Sequence, residues 1–436
     1  MAWTNPRTWN AGEMVTASML NTHIRDNLNS LRSEHHLLQT FRGLRLRTHP
    51  DFNLAASRVW LKADEIVMSD GTRLSNWDGQ TADITVSGAN GLDTGSEAAS
   101  TRYEVHAIAK DDGTKGLLLH KAKSAPVDQS QTAQTTNSPL RFGATTNVKE
   151  GQSFKPGTTG PLDAVDILMF RAGNPAGRVW LTIEADSSGS PSGTPLATSD
   201  KLDANAFSTS SQWVQFIFRS PATLTSGTTY YIVLQGDYTT SAVNYVSWHY
   251  SAGGSVYANG QFYGYDGTTW TSSATADYTF KTHTRLNDSV PTMPTGYTKN
   301  TKVGYVYNDG SSNFDAFIQT DRRAQLLNDH LIVNGSTSTI EVLTDLATVI
   351  PYGPTKVWAA GQNTTNGASV CIGPVPDAYD MRSTTLRNNV IMQQPAAANS
   401  MVVGFSSEFH TEMQAMYFRV GAGTGYVWIT GYEWVS

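Results

Sequence analysis

Trp248, Tyr250, Tyr257, Tyr263, Tyr265 and Trp270 crowd one short stretch of this sequence. Asn244, Asn259, Gln261 and Asp266 are interleaved among them, and Gly253, Gly254, Gly260, Gly264 and Gly267 lie close by. This mixture suits the recognition of a sugar. Pyranose C–H groups pack on flat π faces, while amides and carboxylates bond the hydroxyls. The glycines place some of the rings on turns rather than in a core, because turns need conformations that glycine adopts without strain. Trp248, Tyr263, Tyr265 and Trp270 form the candidate platform, with Asn259 and Asp266 as polar partners. The competing reading buries the same rings between sheets, where aromatics contribute most area.

No motif marks a catalytic centre. There is no nucleophile elbow, zinc-protease helix, phosphate loop or dinucleotide fingerprint. A glycosidase needs two carboxylates about 5–9.5 Å apart, and nothing in the sequence singles out such a pair. The expectation is a protein without enzymatic activity, cofactor or metal. The runs Asp111-Asp112-Gly113 and Asn308-Asp309-Gly310 do not fit the EF-hand spacing and read as turns. His23, His35 and His36 fall in a helical stretch and read as solvated or packed side chains. Cys371 is the sole cysteine, so no intrachain disulfide forms and a buried thiol is expected.

Most of the elements that must hold these residues are strands. The one strong helical signal lies near the N-terminus. Thr16 is a good N-cap, and Leu20, Ile24, Leu28, Leu31 and Leu38 follow at helical spacing. Ile24, Leu28, Leu31 and Leu38 fit heptad core positions, with polar Asn21 and His35 at the others. The stripe is too narrow to bury itself in a lone helix, so a coiled coil of identical copies is expected. After Phe41 the pattern turns to short alternating runs separated by Asp70-Gly71, Asp78-Gly79 and Asn90-Gly91, which are hairpin signals. Residues 102–109 and 116–120 read as a hairpin around Asp111-Asp112-Gly113. A polar stretch at 123–138 then leads into strands at 164–171, 178–184, 212–219, 229–235, 243–250 and 278–284. Short strands at this spacing argue a sandwich or jelly roll. A second linker-like piece at 291–299 precedes another strand pair at 301–306 and 313–319. Hairpins on both sides of an independent module point to an insertion into a host domain.

Composition agrees. The 436 residues exceed one ordinary core. Only 16% are charged, and the net charge of −6 comes without a basic block, so nucleic acid is not an expected partner. No apolar run is long enough to span a membrane as a helix, and no secretory signal is recognisable at the N-terminus.

Three parts of the chain resemble known proteins. Thr8-Trp9, Gly12-Glu13, Val15-Thr16-Ala17, Leu20-Asn21 and Arg25-Asp26-Asn27 resemble the opening of many fibre and minor structural proteins of tailed bacteriophages. The second resemblance is split. YEVHAIAKDDGTKGLLL at 103–119 and PTMPTGYT at 291–298, followed by Val303-Gly304, are similar to a motif of such proteins whose halves are usually joined by a short link. Here the whole 127–286 segment stands between them. That segment resembles anchor-type jelly-roll modules of phage and bacterial surface proteins, through Trp180–Ile183, Gly189–Leu196 and LTSGTTYYIVL at 224–234.

The resemblance implies a mainly β structural virion protein, made in the host cytoplasm. The expected domains are an attachment and oligomerisation helix at 1–40, a host β-domain at 41–126, an inserted carbohydrate-binding-like jelly roll at 127–286, and the rest of the host domain with C-terminal strands at 287–436. It implies a homotrimeric fibre or tail appendage joined to other virion proteins through its N-terminal segment and contacting a host glycan. The alternatives are a head fibre or decoration protein without ligand, and a polysaccharide depolymerase.

Overall fold

The computed structural model describes residues 41–143, 147–254, 256–286, 290–338, 342–363, 369–373, 390–393, 405–411, 414–420 and 423–434. The expected N-terminal helix, with Leu20, Ile24, Leu28, Leu31 and Leu38, lies outside them. Among the described residues the chain is mainly β. Helix is confined to a single turn at Phe52–Ala55, capped by the Asp51 carboxylate, and a 3-10 turn at Ala204–Ala206. The chain divides into two compact units. One joins residues up to Lys121 with Val290–Leu327, and the other joins Ala122–Ser289 with Asn328–Ser436.

In the first unit, Arg73–Asp83, Arg58–Val67, Arg45–Thr48 and Phe317–Thr320 run antiparallel in that order. Alternation gives this sheet two characters. Leu46, Val59, Leu61 and Phe317 are buried, while Arg45, Lys62 and Ile318 on the other face are exposed, as the period of two requires. A second sheet orders Tyr297–Asn308, Thr101–Lys110, Lys115–Lys121 and Gly91–Leu92. Its first two strands carry residues from both halves of the split motif and pair directly, Tyr103 opposite Val306 and Ile108 opposite Asn300. The Asp111-Asp112-Gly113 run is a hairpin turn. Gly113 sits at φ 86°, and the Asp112 carboxylate accepts the Thr114 N–H at 2.8 Å. On this sheet Glu104 is half-buried, and desolvation alone would raise its carboxyl pKa. The His106 hydrogen bond at 3.0 Å and the Lys302 ammonium at 3.2 Å outweigh burial and hold it at about 2.

The second unit contains a two-sheet sandwich. Its front sheet orders Pro191–Thr198, Arg178–Asp186, Tyr230–Gly236, Lys149–Phe154, Phe262–Tyr265 and Trp270–Ser273. Its back sheet is built on the long strand Gly160–Ala172, flanked by Gln212–Ile217, Phe280–Thr284 and Tyr245–Ala252. Val179, Leu181, Ile183, Ile232 and Leu234 of the front sheet meet Val165, Ile167, Met169, Val214 and Phe216 of the back sheet in one apolar core. The two ends of the sandwich meet, with Leu286 N–H donating to Ser124 O at 2.7 Å and Ser124 N–H to Leu286 O at 3.3 Å.

Val290–Leu327 belong to the first unit, whereas the strands after Leu327 share the unit of the sandwich, so 287–436 is not one block. Polar contacts join this later part to the sandwich. The Tyr352 hydroxyl donates at 2.6 Å to Asp163, a carboxylate that Arg285 of the sandwich grips with two hydrogen bonds of 2.8 and 2.6 Å, and the Tyr417 hydroxyl accepts the Gln215 N–H at 2.9 Å. These partners are far apart in sequence and carry no periodic signal.

Candidate functional site

The front sheet turns its odd residues at 179, 181 and 183 inward and Trp180, Thr182 and Glu184 outward. Strand register then aligns the outward side chains. Trp180 lies opposite Gln235, Gln235 opposite Lys149, Lys149 opposite Tyr265, and Tyr265 opposite Trp270. This row crosses five strands, or roughly 19 Å at the usual strand spacing. All five side chains are half-buried, so the row is shallow rather than a pocket.

The next row explains why the rings sit where they do. It runs Thr182, Val233, Gly151, Tyr263 and Ser272. A Cβ on Gly151 would stand 3.4 Å from the Trp270 ring and 3.3 Å from Tyr263 Cβ. The missing side chain leaves a floor on which the indole rests. Tyr265 lies 5.0 Å from Trp270 with the planes tilted by 38°, and Tyr263 meets it edge-on at 6.4 Å. Tyr263 is only 4% exposed. Its hydroxyl donates to Gly189 O at 3.0 Å and accepts from Gln261 Nε2 at 2.9 Å. Tyr231 braces it edge-on at 5.1 Å and donates to Asp186 at 2.6 Å. Burial and that carboxylate push the Tyr231 hydroxyl's pKa up, so it stays a donor. Two cations lie against the row's rings, Lys149 within the row with Nζ 5.6 Å from the Tyr265 ring and Lys201 beside it with Nζ 4.0 Å from the Trp180 ring. The Gln235 amide is oriented by donating to Thr182 Oγ1 at 2.9 Å, which keeps its carbonyl available as an acceptor.

Tyr263, Tyr265 and Trp270 therefore come together as the sequence implies, although Tyr263 serves as a support rather than an open face. Trp248 does not join them. It points inward, is fully buried, stacks on Tyr278 at 4.1 Å and donates its indole N–H to Thr279 O at 2.8 Å. Alternation along Tyr245–Ala252 dictates this, since Val246 and Trp248 share the core face. Tyr257 is also buried. Asp266 is exposed, but its carboxylate accepts from Thr268 N, Thr268 Oγ1 and Thr269 N at 2.7–2.8 Å, and these bonds lower its pKa. It is a turn cap. Asn259 is exposed on the turn before Phe262–Tyr265 and has no place in the row. Sequence reading missed Trp180, Gln235 and Lys149. The alternation of residues 178–184 marks Trp180 as outward, but only strand order places it beside the others.

A second polar cluster lies on the back sheet. His283 bridges Asp166 at 3.0 Å and Ala125 O at 3.1 Å, and Gln215 donates to Asp166 at 3.1 Å. Burial pulls the imidazole pKa down, but Asp166 and the carbonyl prevail and it ends raised. With Lys281, Asp345 and Gln414 these residues line a cavity of about 340 Å³.

No protein-family model matches the chain, and no curated protein matches it. Among solved structures, the chain has a faint likeness to the M60 catalytic domain with the CBM51-1 and CBM51-2 domains from Clostridium perfringens ZmpB. The identity is 10% and the TM-score 0.15, over 86% of this chain. The match spans about half of that structure, 48% of its length. A likeness at this level carries no functional argument.

Proposed function

We propose that this protein is a structural subunit of a tailed-phage virion, a homotrimeric fibre or tail appendage that presents the front sheet of its sandwich to glycans on the host surface. The observation that carries the binding half of this reading is the row Trp180, Gln235, Lys149, Tyr265 and Trp270. Its half-open rings offer stacking faces, and its amide and ammonium groups flank them. The virion half rests on the N-terminal motif with Thr8-Trp9 and Arg25-Asp26-Asn27. The segment bearing that motif joins the subunit to other virion proteins.

The test is binding of the full-length chain to an array of host surface polysaccharides. The Tyr265→Ala/Trp270→Ala variant is expected to lose at least about tenfold in affinity, or 1.4 kcal/mol, with unchanged circular dichroism and melting temperature. Wild-type protein that incorporates into particles but binds no host glycan would leave a decoration protein. Shortening of the polysaccharide during incubation would establish a depolymerase instead.

A further inference from the structure

The first unit carries a feature that the front-sheet row does not involve. Arg45 and Arg47 alternate with buried Leu46 and Thr48, so both guanidinium groups stand on the solvent side of their sheet. Register sets Lys62 opposite Arg45, Trp60 opposite Arg47, and Ile318 on the other flank of Arg47. With Gly43 and Asp64 these side chains line a groove of about 660 Å³. Arg45 and Lys62 are exposed, and Arg47 and Trp60 half-buried. Arg47 uses its Nε to hold Thr48 O at 3.2 Å, which spends one of its five N–H groups. Asp78 approaches Lys62 at 3.6 Å, an exposed pair of little energy. Among the described residues, neither Asp64 nor Asp78 bonds to Arg45 or Arg47. The Trp60 indole lies along Gly79, where a Cβ would stand 3.7 Å from Nε1.

We propose that this groove binds an anionic saccharide polymer. Guanidinium forks fit carboxylate and phosphate groups with paired hydrogen bonds. Arg45 and Arg47 are two residues apart on one strand, roughly 7 Å, and so address neighbouring anionic groups. Trp60 offers the ring face on which a sugar stacks. A duplex nucleic acid is a poorer fit, because its binders neutralise many phosphates along a basic stripe. This groove holds three cations in a chain of net charge −6.

The experiment titrates the full-length chain calorimetrically with polygalacturonate, a phosphorylated mannan, neutral dextran and a DNA duplex, at low and at raised salt. Each titration is repeated in the Tyr265→Ala/Trp270→Ala variant, so that any neutral-sugar response of the front-sheet row drops out. At least one acidic polymer is expected to bind in both proteins and to weaken as salt rises. The preferred polymer identifies carboxylate or phosphate as the recognised group. Arg45→Ala/Arg47→Ala should lose roughly tenfold or more with an unchanged melting temperature. Trp60→Ala should weaken binding without changing its salt slope, because stacking releases no counterions. Equal binding by the arginine variant, equal binding of dextran in the Tyr265→Ala/Trp270→Ala background, or tighter binding of DNA would overturn the proposal. Loss of acidic-polymer binding in the front-sheet variant would also overturn it and return that activity to the sandwich.

Discussion

Glu150 sits between two residues of the candidate row's strand and faces the opposite way. Lys149 and Gly151 point outward, and Glu150 points into the sandwich with no exposure. Burial pushes its carboxyl up to about 8, with the Ser138 and Tyr278 hydroxyls offsetting part of the effect. Near neutral pH it is therefore mostly a protonated acid in a core that would not tolerate its charge. The unfolded chain releases the same proton near the ordinary value of 4.5. Between these values the unfolded state is favoured by ionisation, so stability falls as pH rises from about 4.5 to about 8 and is level beyond. The loss attributable to Glu150 amounts to at most about 5 kcal/mol. His283 acts in the same direction, since its raised pKa gives stability that is lost as pH climbs above 6.5. Glu150→Gln is expected to flatten most of the decline and to raise stability at pH 8 and above. Denaturant unfolding at about pH 5, 7 and 8.5 checks this. A variant with the wild-type slope would assign the titration to another group.

At the scale of strands, what decides the fate of an aromatic residue is its parity. Trp248 and Trp270 stand in the same aromatic stretch, yet one is core and the other surface. Trp248→Ala removes a fully buried indole stacked on Tyr278 and should cost about 3–5 kcal/mol, while Trp270→Ala should cost much less. Thermal and denaturant melts of the two variants measure the contrast. Equal losses would mean that Trp270 is packed as tightly as Trp248. The contrast also shows what the sequence reveals and what it conceals. Strand positions are legible from alternation and turn residues, as at Arg178–Asp186 and around Gly113. The closeness of residues 124 and 286 is legible from the split motif. Parity is legible only where alternation is clean, and around residues 245–265 glycine-rich turns interrupt it. Strand order is not legible. Lys149, Gln235 and Trp180 join the row through pairings between distant segments, which no local pattern encodes.

For the whole molecule, the row's shallowness sets the terms of function. A row of half-buried side chains encloses no ligand, so single-site affinity should be micromolar to millimolar, about 4–8 kcal/mol. Adhesion at that strength needs several sites held together, because linked sites convert later contacts into intramolecular ones. In the proposed assembly a homotrimer would supply three sandwiches, and a virion many trimers. The spacing of Ile24, Leu28, Leu31 and Leu38, with Leu20 beside them, predicts a helical seam too narrow for a lone helix, and closed symmetry is the common outcome for identical chains. Light scattering on the full-length protein is expected to give the mass of three subunits. Leu28→Asp places an unpaired charge in the seam and should shift the mass toward the monomer. If avidity is the purpose of the assembly, this variant keeps the wild-type calorimetric affinity for a short soluble oligosaccharide. Its retention on a glycan-coated surface falls by at least about tenfold. A wild-type monomer would refute the trimer. Equal retention by the monomeric variant would show that single sites suffice and that the helix serves attachment alone.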